Sequence, residues 1–464
     1  MLLDATPTIA TVGADLFADE IRAQAVDVTP VLWRPPQGGT EEALAAVVGD
    51  ARFIDANAEA ARRLTSARPK LVGIATAGDV LGVGRGEFLH AGPPIEWANA
   101  SGPLRGALIG AMMYEGLASS FEEAEKLGPS VALAPCHSRR TVGPMAGVVS
   151  SSMPVFVVQD EVNGTTSYST LNEGLGKVLR MGAYGPEVIE RLRWLQTELA
   201  PLLTQTLQQH GPVDLASILA QAIQMGDEAH NRNRAGTSLF IREIVADLVE
   251  LDAPSAAIAA ALRFVNSNDH FLLNLAMAAA KASTDAARDV PGSSLVVVMA
   301  RNGTEFGIQT SGTGDEWFTC PCDVPEGLYF AGFGPEDANP DIGDSAIMET
   351  LGLGGFAMAA SPAIVRFVGG QVSQAVETTQ RMYEITLAEH PLYQIPGLDF
   401  RGSPSGVDAT LVVRTGILPV IDTGIAGREP GIGQVGAGIV SPRPSVFVDA
   451  VNALAKRTGQ AHAR

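Results

Sequence analysis

Three short apolar runs open the chain. Residues 8–12 and 26–33 read as buried strands, residues 14–24 as the helix between them, and residues 70–75 as a third strand after a helical stretch over 41–64. Pro35-Pro36 ends the second run. Strands alternating with helices at this spacing predict a parallel, Rossmann-like unit over residues 1–92. Its first turn, Val12-Gly13-Ala14-Asp15, lacks the spaced glycines of a dinucleotide fingerprint, so the topology is expected without NAD.

Over residues 93–184, glycine, proline and small residues punctuate an apolar helix around 107–118 and a strand at 155–158, which reads as a second α/β unit. The pattern changes after Gly185-Pro186, a pair suited to a helix start. Val188, Leu192, Leu195 and Leu199, then Leu215, Ile218, Leu219 and Ile223, recur at helical spacing, so residues 185–290 are expected to form a small helical domain. Beyond Pro291, strands at 295–299 and 305–309 flank Arg301-Asn302-Gly303, and Asn-Gly between two such runs is a strong hairpin signal. A helix at 372–388, a strand at 410–413 and a glycine-rich segment over 424–438 complete an α+β domain over 291–464. The fold class is therefore α/β and multi-domain.

Length and composition narrow the function. A chain of 464 residues suggests about three compact units. With 46% hydrophobic and 18% charged residues it can bury enough apolar surface to be globular. A net charge of -19, with no compensating run of Lys or Arg, argues against nucleic acid and anionic membranes as partners. A small anionic substrate is still admissible where arginines or backbone N–H groups reverse the field locally. Three cysteines, Cys136, Cys320 and Cys322, make no disulfide framework. No basic segment precedes an apolar run at the start, and Gly354, Gly355, Pro362 and Arg366 interrupt the most apolar long stretch, so a cytoplasmic location is expected.

The sharpest chemical candidate is Met225-Gly226-Asp227-Glu228-Ala229-His230-Asn231-Arg232-Asn233, a polar segment at the end of an amphipathic helix. If the helix continues, Asp227, His230 and Asn231 share a side, and Glu228 and Arg232 lie one turn apart. That presents a proton-transfer group beside donors and acceptors, as chemistry on an amide or carbamoyl group requires. The competing reading is a solvated helix end with a Glu228–Arg232 surface pair. Arg139 and Arg140, before a glycine-rich turn, are candidates for a carboxylate or phosphate contact, against solvated arginines. Their neighbour Cys136 reads as a small buried residue rather than a nucleophile.

Asn302, with Thr304 and Glu305 after it, is first of all a turn. Asp341, Asp344 and Glu349 place three carboxylates within nine residues, read either as cation ligands or, preferably, as an N-cap with first-turn acids. Thr423 to Gly427 and Gly431 to Gly438, including Gln434, offer backbone N–H groups for an anion, with tight packing as the default and no Walker lysine.

Several of these blocks together resemble one family. Ser101-Gly102-Pro103-Leu104-Arg105-Gly106-Ala107, Val142 to Gly147, Met225 to Asn233, Met299 to Gly307, Asp337 to Ser345 and Gly431 to Gly438 are similar to the AllG (YlbE-like and YahG-like) family, a subunit of bacterial oxamate carbamoyltransferase. The resemblance implies two unlike partner subunits, similar to AllF (FdrA-like) and AllH. It implies carbamoyl transfer between oxamate and phosphate, by way of oxalurate and carbamoyl phosphate, in allantoin and purine catabolism. It also implies a Rossmann-like N-terminal unit and a small helical domain. The phosphate loop and His-Pro-x-Gln motif of ordinary carbamoyltransferases are absent, so any such transfer uses a different site.

Within that reading, catalysis is expected of His230 as the proton-transfer group, with Glu228 to orient it and Asp227 beside them. Arg232, Asn233, Arg139, Arg140, Asn302, Glu305, Thr423 and Gln434 are the expected substrate contacts. No metal ligand and no cofactor is assigned, although a divalent cation fits the chemistry. A homo-oligomer is expected as well. The rivals are a stand-alone amidohydrolase holding a metal on His137, Asp227, His230 or Asp344, and a non-catalytic scaffold.

Overall fold

The helix Phe271–Ala286 is buried along nearly its whole length, and the architecture is built on it. The computed structural model describes residues 8–12, 15–30, 35–172, 174 and 177–462. One face of the helix packs on the strands Pro154–Asp160 and Thr166–Thr170. There Thr165, Ser167 and Ser169 donate to the carbonyls of Ala282, Ala278 and Asn274. Alternate residues of a strand are spaced much as one turn of a helix is, so hydroxyls every second residue meet carbonyls every fourth. Asn274 returns a bond to Thr170 O.

Those two strands belong to a five-stranded sheet in the order Val213–Asp214, Pro69–Thr76, Pro154–Asp160, Thr166–Thr170, Thr141–Val142. All its pairings are antiparallel except the last. Its position corrects the expected N-terminal unit. Thr8–Thr11 and Asp27–Pro30 do pair in parallel, but the third strand joins antiparallel neighbours instead of extending that pair. The cause is the buried Asp160, which accepts from Arg68 N as well as from Val162 N and Asn163 N in the hairpin turn, and so ties the third strand to that hairpin. Gly13-Ala14 and the end of the second predicted strand, 31–33, lie outside the described residues. Among the described residues, the parallel pairing expected over 1–92 is limited to that pair and to Glu87–His90, which runs parallel to Ala132–Pro135 in a separate sheet, so the Rossmann-like unit does not form as one sheet.

Helices dominate from Pro186 to Ala286, as the spacing predicts, and the eight apolar residues named above are all buried. Pro186–His210 is helical throughout, with a π segment over Leu195–Leu199 just ahead of Pro201, whose missing N–H interrupts the regular ladder.

In the C-terminal half the Asn-Gly hairpin forms as expected. Val296–Asn302 and Glu305–Thr310 are the centre of a four-stranded antiparallel sheet completed by Phe318–Pro321 and Ile342–Gly343. The glycine-rich segment is largely a second hairpin, Ile421–Ala426 with Gln434–Val440, and not a loop. Residues 410–413, expected as a strand, lie in the helix Ala409–Thr415. Asp408 caps that helix by accepting from Thr410 N, and Gly416 ends it in the left-handed region. The helix starting at Val372 stops at Met382, and the chain becomes strand from Thr386. The mixed α/β, multi-sheet class stands, and no helix among the described residues is long and apolar enough to cross a membrane.

One consequence concerns His390, stacked on Tyr393 with ring centroids 3.9 Å apart. Burial pushes this imidazole down to about 3. Its Nδ1 accepts from Leu392 N and Tyr393 N, which requires the neutral ring. The unfolded chain titrates near the ordinary value of about 6.5. The stabilisation from a neutral His390 is therefore complete above that value and lost as pH falls toward 3. Urea unfolding should show the advantage of wild type over His390→Gln shrinking across this window; a constant difference would refute it.

Candidate active site

The helix Leu215–Gln224 ends before Gly226, whose φ of 98° sends the chain out of helical geometry, and helix resumes only at Arg234. The polar segment is thus a turn-rich loop, so the side-sharing that a continued helix would give Asp227, His230 and Asn231 does not arise. It is also folded inward: Asp227, Glu228, His230, Asn231 and Asn233 are all buried. Asp227 accepts from Gly236 N at the start of the next helix. Glu228 Oε1 accepts from His230 N at 3.2 Å and Arg232 N at 2.7 Å. These carboxylates shape the backbone, and no surface pair forms. The Arg232 guanidinium donates to Gly226 O, and Asn233 Nδ2 to His230 O.

The His230 ring is oriented by two residues from far along the chain. Its Nδ1 lies 2.8 Å from Glu349 Oε1 and 3.2 Å from Asp422 Oδ1. Glu349 comes from the short helix Ile347–Leu351 and Asp422 from the hairpin strand Ile421–Ala426. Burial alone would lower the imidazole, but the Glu349 and Asp422 carboxylates reverse this and push it up to about 10. Burial raises Glu349 to about 7 against the pull of His230, and holds Glu228 well above the carboxylate range with help from Asp422. Placed between the two carboxylates, the ring is favoured in its cationic form.

Glycines make this contact fit. Gly355 N donates to Glu349 Oε1 at 2.9 Å, and Gly354 N donates to Glu228 O at 2.8 Å. A Cβ on Gly354, which sits at φ 55°, would collide with Glu349 Oε1 and lie 3.0 Å from His230 Cβ. Gly354→Ala should therefore spoil the His230–Glu349 pairing and cost activity out of proportion to its effect on melting temperature. Unchanged activity in that variant would show that the pairing is dispensable.

A second buried network fixes the hairpin strand beside the loop. Arg301 donates Nε to Asp341 Oδ2 at 2.6 Å, Nη1 to Gly343 O at 2.9 Å and Nη2 to Thr423 Oγ1 at 3.0 Å. Thr423 is thus held next to Asp422. Between loop and hairpin lies a cavity of about 20 Å³, room for a single water. Its walls include His230, Asn231, His270, Arg180, Thr423 and Gln434.

Of the residues expected from sequence, His230, Thr423 and Gln434 line this cavity, with Asp227, Glu228, Arg232 and Asn233 in the loop behind it. Four others serve elsewhere. Arg139 pairs with Glu87 near the surface, and Arg140 is exposed in a left-handed turn. Asn302 Oδ1 closes its own hairpin by accepting from Thr304 N and Glu305 N, and Glu305 faces Thr319.

The acids at 341–349 are not helix caps either. Asp341 binds Arg301, Asp344 accepts from Gly92 N and Gly143 N and faces His137, and Glu349 meets His230. The metal set imagined for an amidohydrolase does not converge, since Asp227 turns to Gly236 while His137 pairs with Asp344. Cys136 is a buried thiol, as expected.

Sequence reasoning passed over Asp422, Arg301, Arg180 and His270 as site residues. Only Asp422, directly before the Thr-Gly pair, carried a local signal.

The model of the oxamate carbamoyltransferase subunit AllG family matches residues 131–345. AllG from Escherichia coli (strain K12) is 44% identical over 412 residues, covering 87% of this chain and 98% of its own length. YahG from the same organism, an uncharacterised protein, is 42% identical over 460 residues, 97% of this chain and 98% of its own. A crystal structure of a conserved protein of unknown function from Enterococcus faecalis V583 superposes with a TM-score of 0.85 at 44% identity, over 87% of this chain and 97% of that one. The chain therefore belongs to the AllG family.

Proposed function

We propose that this chain is the subunit of a heteromeric carbamoyltransferase that holds the transferring group, acting between an oxamate- or oxalurate-type compound and phosphate in allantoin nitrogen catabolism. The observation that carries this reading is the cavity wall. Asn231 Nδ2, a donor, and Gln434 Oε1, an acceptor, are both buried there without a partner. Unpaired buried groups of this kind cost roughly 1–3 kcal/mol each, so their retention points to a ligand that completes them. A carbamoyl group offers the complement, a carbonyl acceptor and an NH2 donor.

In the reaction, an oxygen of hydrogen phosphate bonds to the carbamoyl carbon and the carbonyl becomes an oxyanion; the carbonyl then re-forms as the bond to the oxamate nitrogen breaks, and that nitrogen takes the proton the phosphate gives up. The positive centre at His230, set by Glu349 and Asp422, lies on the wall where it can neutralise the oxyanion in a site that excludes water. Arg180 lines the same cavity and is suited to the carboxylate of an oxamate unit. Since the cavity is narrow, substrate entry needs its wall to shift, and Met145 and Met181 are the adaptable side chains on it. The orienting role expected of Glu228 passes to Glu349 and Asp422.

The AllG relative being named as a subunit supports partner subunits in general; that they are similar to AllF (FdrA-like) and AllH is part of the proposal. The test is to mix the chain with its partner subunits, supply oxalurate and phosphate, and assay carbamoyl phosphate. Product formed only by the full mixture is expected; silence across related ureido substrates would sink the proposal.

A further inference from the structure

We propose that His230, Glu349 and Asp422 form a binding site for a divalent transition-metal cation, Mn²⁺ or Zn²⁺. The inference concerns the cluster itself and does not require the reaction to be carbamoyl transfer. One ligand atom from each of the three residues lies within 4.8 Å of the others, and all three residues are buried. They arrive from a loop, a short helix and a strand, so the cluster is a tertiary construction and not a stretch of acidic surface.

Charge makes the stronger argument. Glu349 and Asp422 both face the one imidazole, while the buried Asp341 is paired with Arg301. Two carboxylates thus meet a single imidazole in a buried site, where carboxylate oxygens without a partner are costly. The second observation is independent of that count. Asp422 Oδ2, Glu349 Oε2 and Glu228 Oε2 are buried and accept no hydrogen bond. A dication bound by His230 and the two carboxylates would give the Asp422 and Glu349 oxygens a partner and balance their charge.

The ligand chemistry selects the class. One imidazole nitrogen with two carboxylates is harder than a thiolate set and softer than an all-oxygen one, which favours Mn²⁺ or Zn²⁺ over Ca²⁺ or Mg²⁺. Contraction of the ligands to metal–ligand distances of about 2.0–2.2 Å is small from the spacing present. On binding, the metal takes the Nδ1 lone pair and the proton of the imidazolium is released to solvent. Gly355 N and Asp422 N already hold Glu349 Oε1, the outer support that such ligands need. Three protein ligands leave coordination positions for water or a substrate oxygen, the pattern of a catalytic site. The cation would then be the positive centre that the cluster otherwise supplies as imidazolium.

Manganese binding to the chelator-treated full chain, followed by loss of the free-ion electron paramagnetic signal, tests this without partner subunits or substrate. Saturation at one cation per chain, spin-echo modulation from a directly bound nitrogen, and displacement by Zn²⁺ are expected. Asp422→Asn, which keeps the side-chain shape, should weaken binding by roughly tenfold or more. Absence of saturable binding of either ion to wild type would overturn the site. So would binding that shows no nitrogen coupling and survives Asp422→Asn. Because the readout is binding, its failure leaves carbamoyl transfer untouched, and failure of the transfer assay leaves this result standing.

Discussion

Replacing Arg301 by leucine should cost about 3–5 kcal/mol of folding stability, because it strands Asp341 as a buried charge with no cation. Arg301 is fully buried, and its fork engages both oxygens of Asp341, the carbonyl of Gly343 and the hydroxyl of Thr423. Few single changes in the chain would break so many bonds at once. The account also predicts the compensation: Arg301→Leu with Asp341→Leu should recover much of the loss, since removing both charges removes the desolvation penalty as well. Arg301→Lys keeps the charge but not the planar fork, and should fall between. Urea unfolding of the four proteins measures all of this. A loss under about 1 kcal/mol in the leucine variant would place the pair in the class of surface ion pairs and contradict the account.

The second large effect is on activity. His230→Gln keeps a polar side chain of similar reach but cannot carry positive charge or supply an imidazole nitrogen. In the assembled enzyme it should lower kcat/KM by roughly 10²- to 10⁴-fold, the usual contribution of a positioned proton-transfer or charge-stabilising group. Assembly with the partner subunits should be unchanged, because the residue is buried away from any outer surface. Full activity in this variant would identify the chain as a scaffold that orders a partner's site.

These expectations show how unevenly the sequence reveals the molecule. Helical spacing over 188–223 was readable because each apolar residue meets the same core, so the period survives in one dimension. The hairpin at Asn302-Gly303 was readable because its geometry is local, and Asn302 closes it with its own side chain. Residues 410–413 misled because Leu411, Val412 and Val413 favour a strand, while the cap from Asp408 and the stop at Gly416 decide for helix.

The site was half legible for the same reason. The loop 225–233 stood out as polar residues where apolar ones were due, and its burial could be suspected but not its partners. Glu349 and Asp422 reach His230 across 119 and 192 positions of sequence, through a sheet order that no local pattern encodes. Glu349 was visible only as an acid near a helix start, a place where acids usually serve the helix itself. Arg139 and Arg140 illustrate the opposite error: arginines before a glycine turn suggested an anion site, whereas Arg139 completes a pair with Glu87.

The decisive measurement is a crystal structure of the assembled enzyme with oxamate or oxalurate bound. The account predicts ligand density in the widened cavity between loop 225–233 and the hairpin Ile421–Ala426, within hydrogen-bond distance of Asn231 and Gln434 and against His230. Density lodged in a different cleft or on a partner subunit, with the His230–Glu349–Asp422 cluster bare, would contradict it.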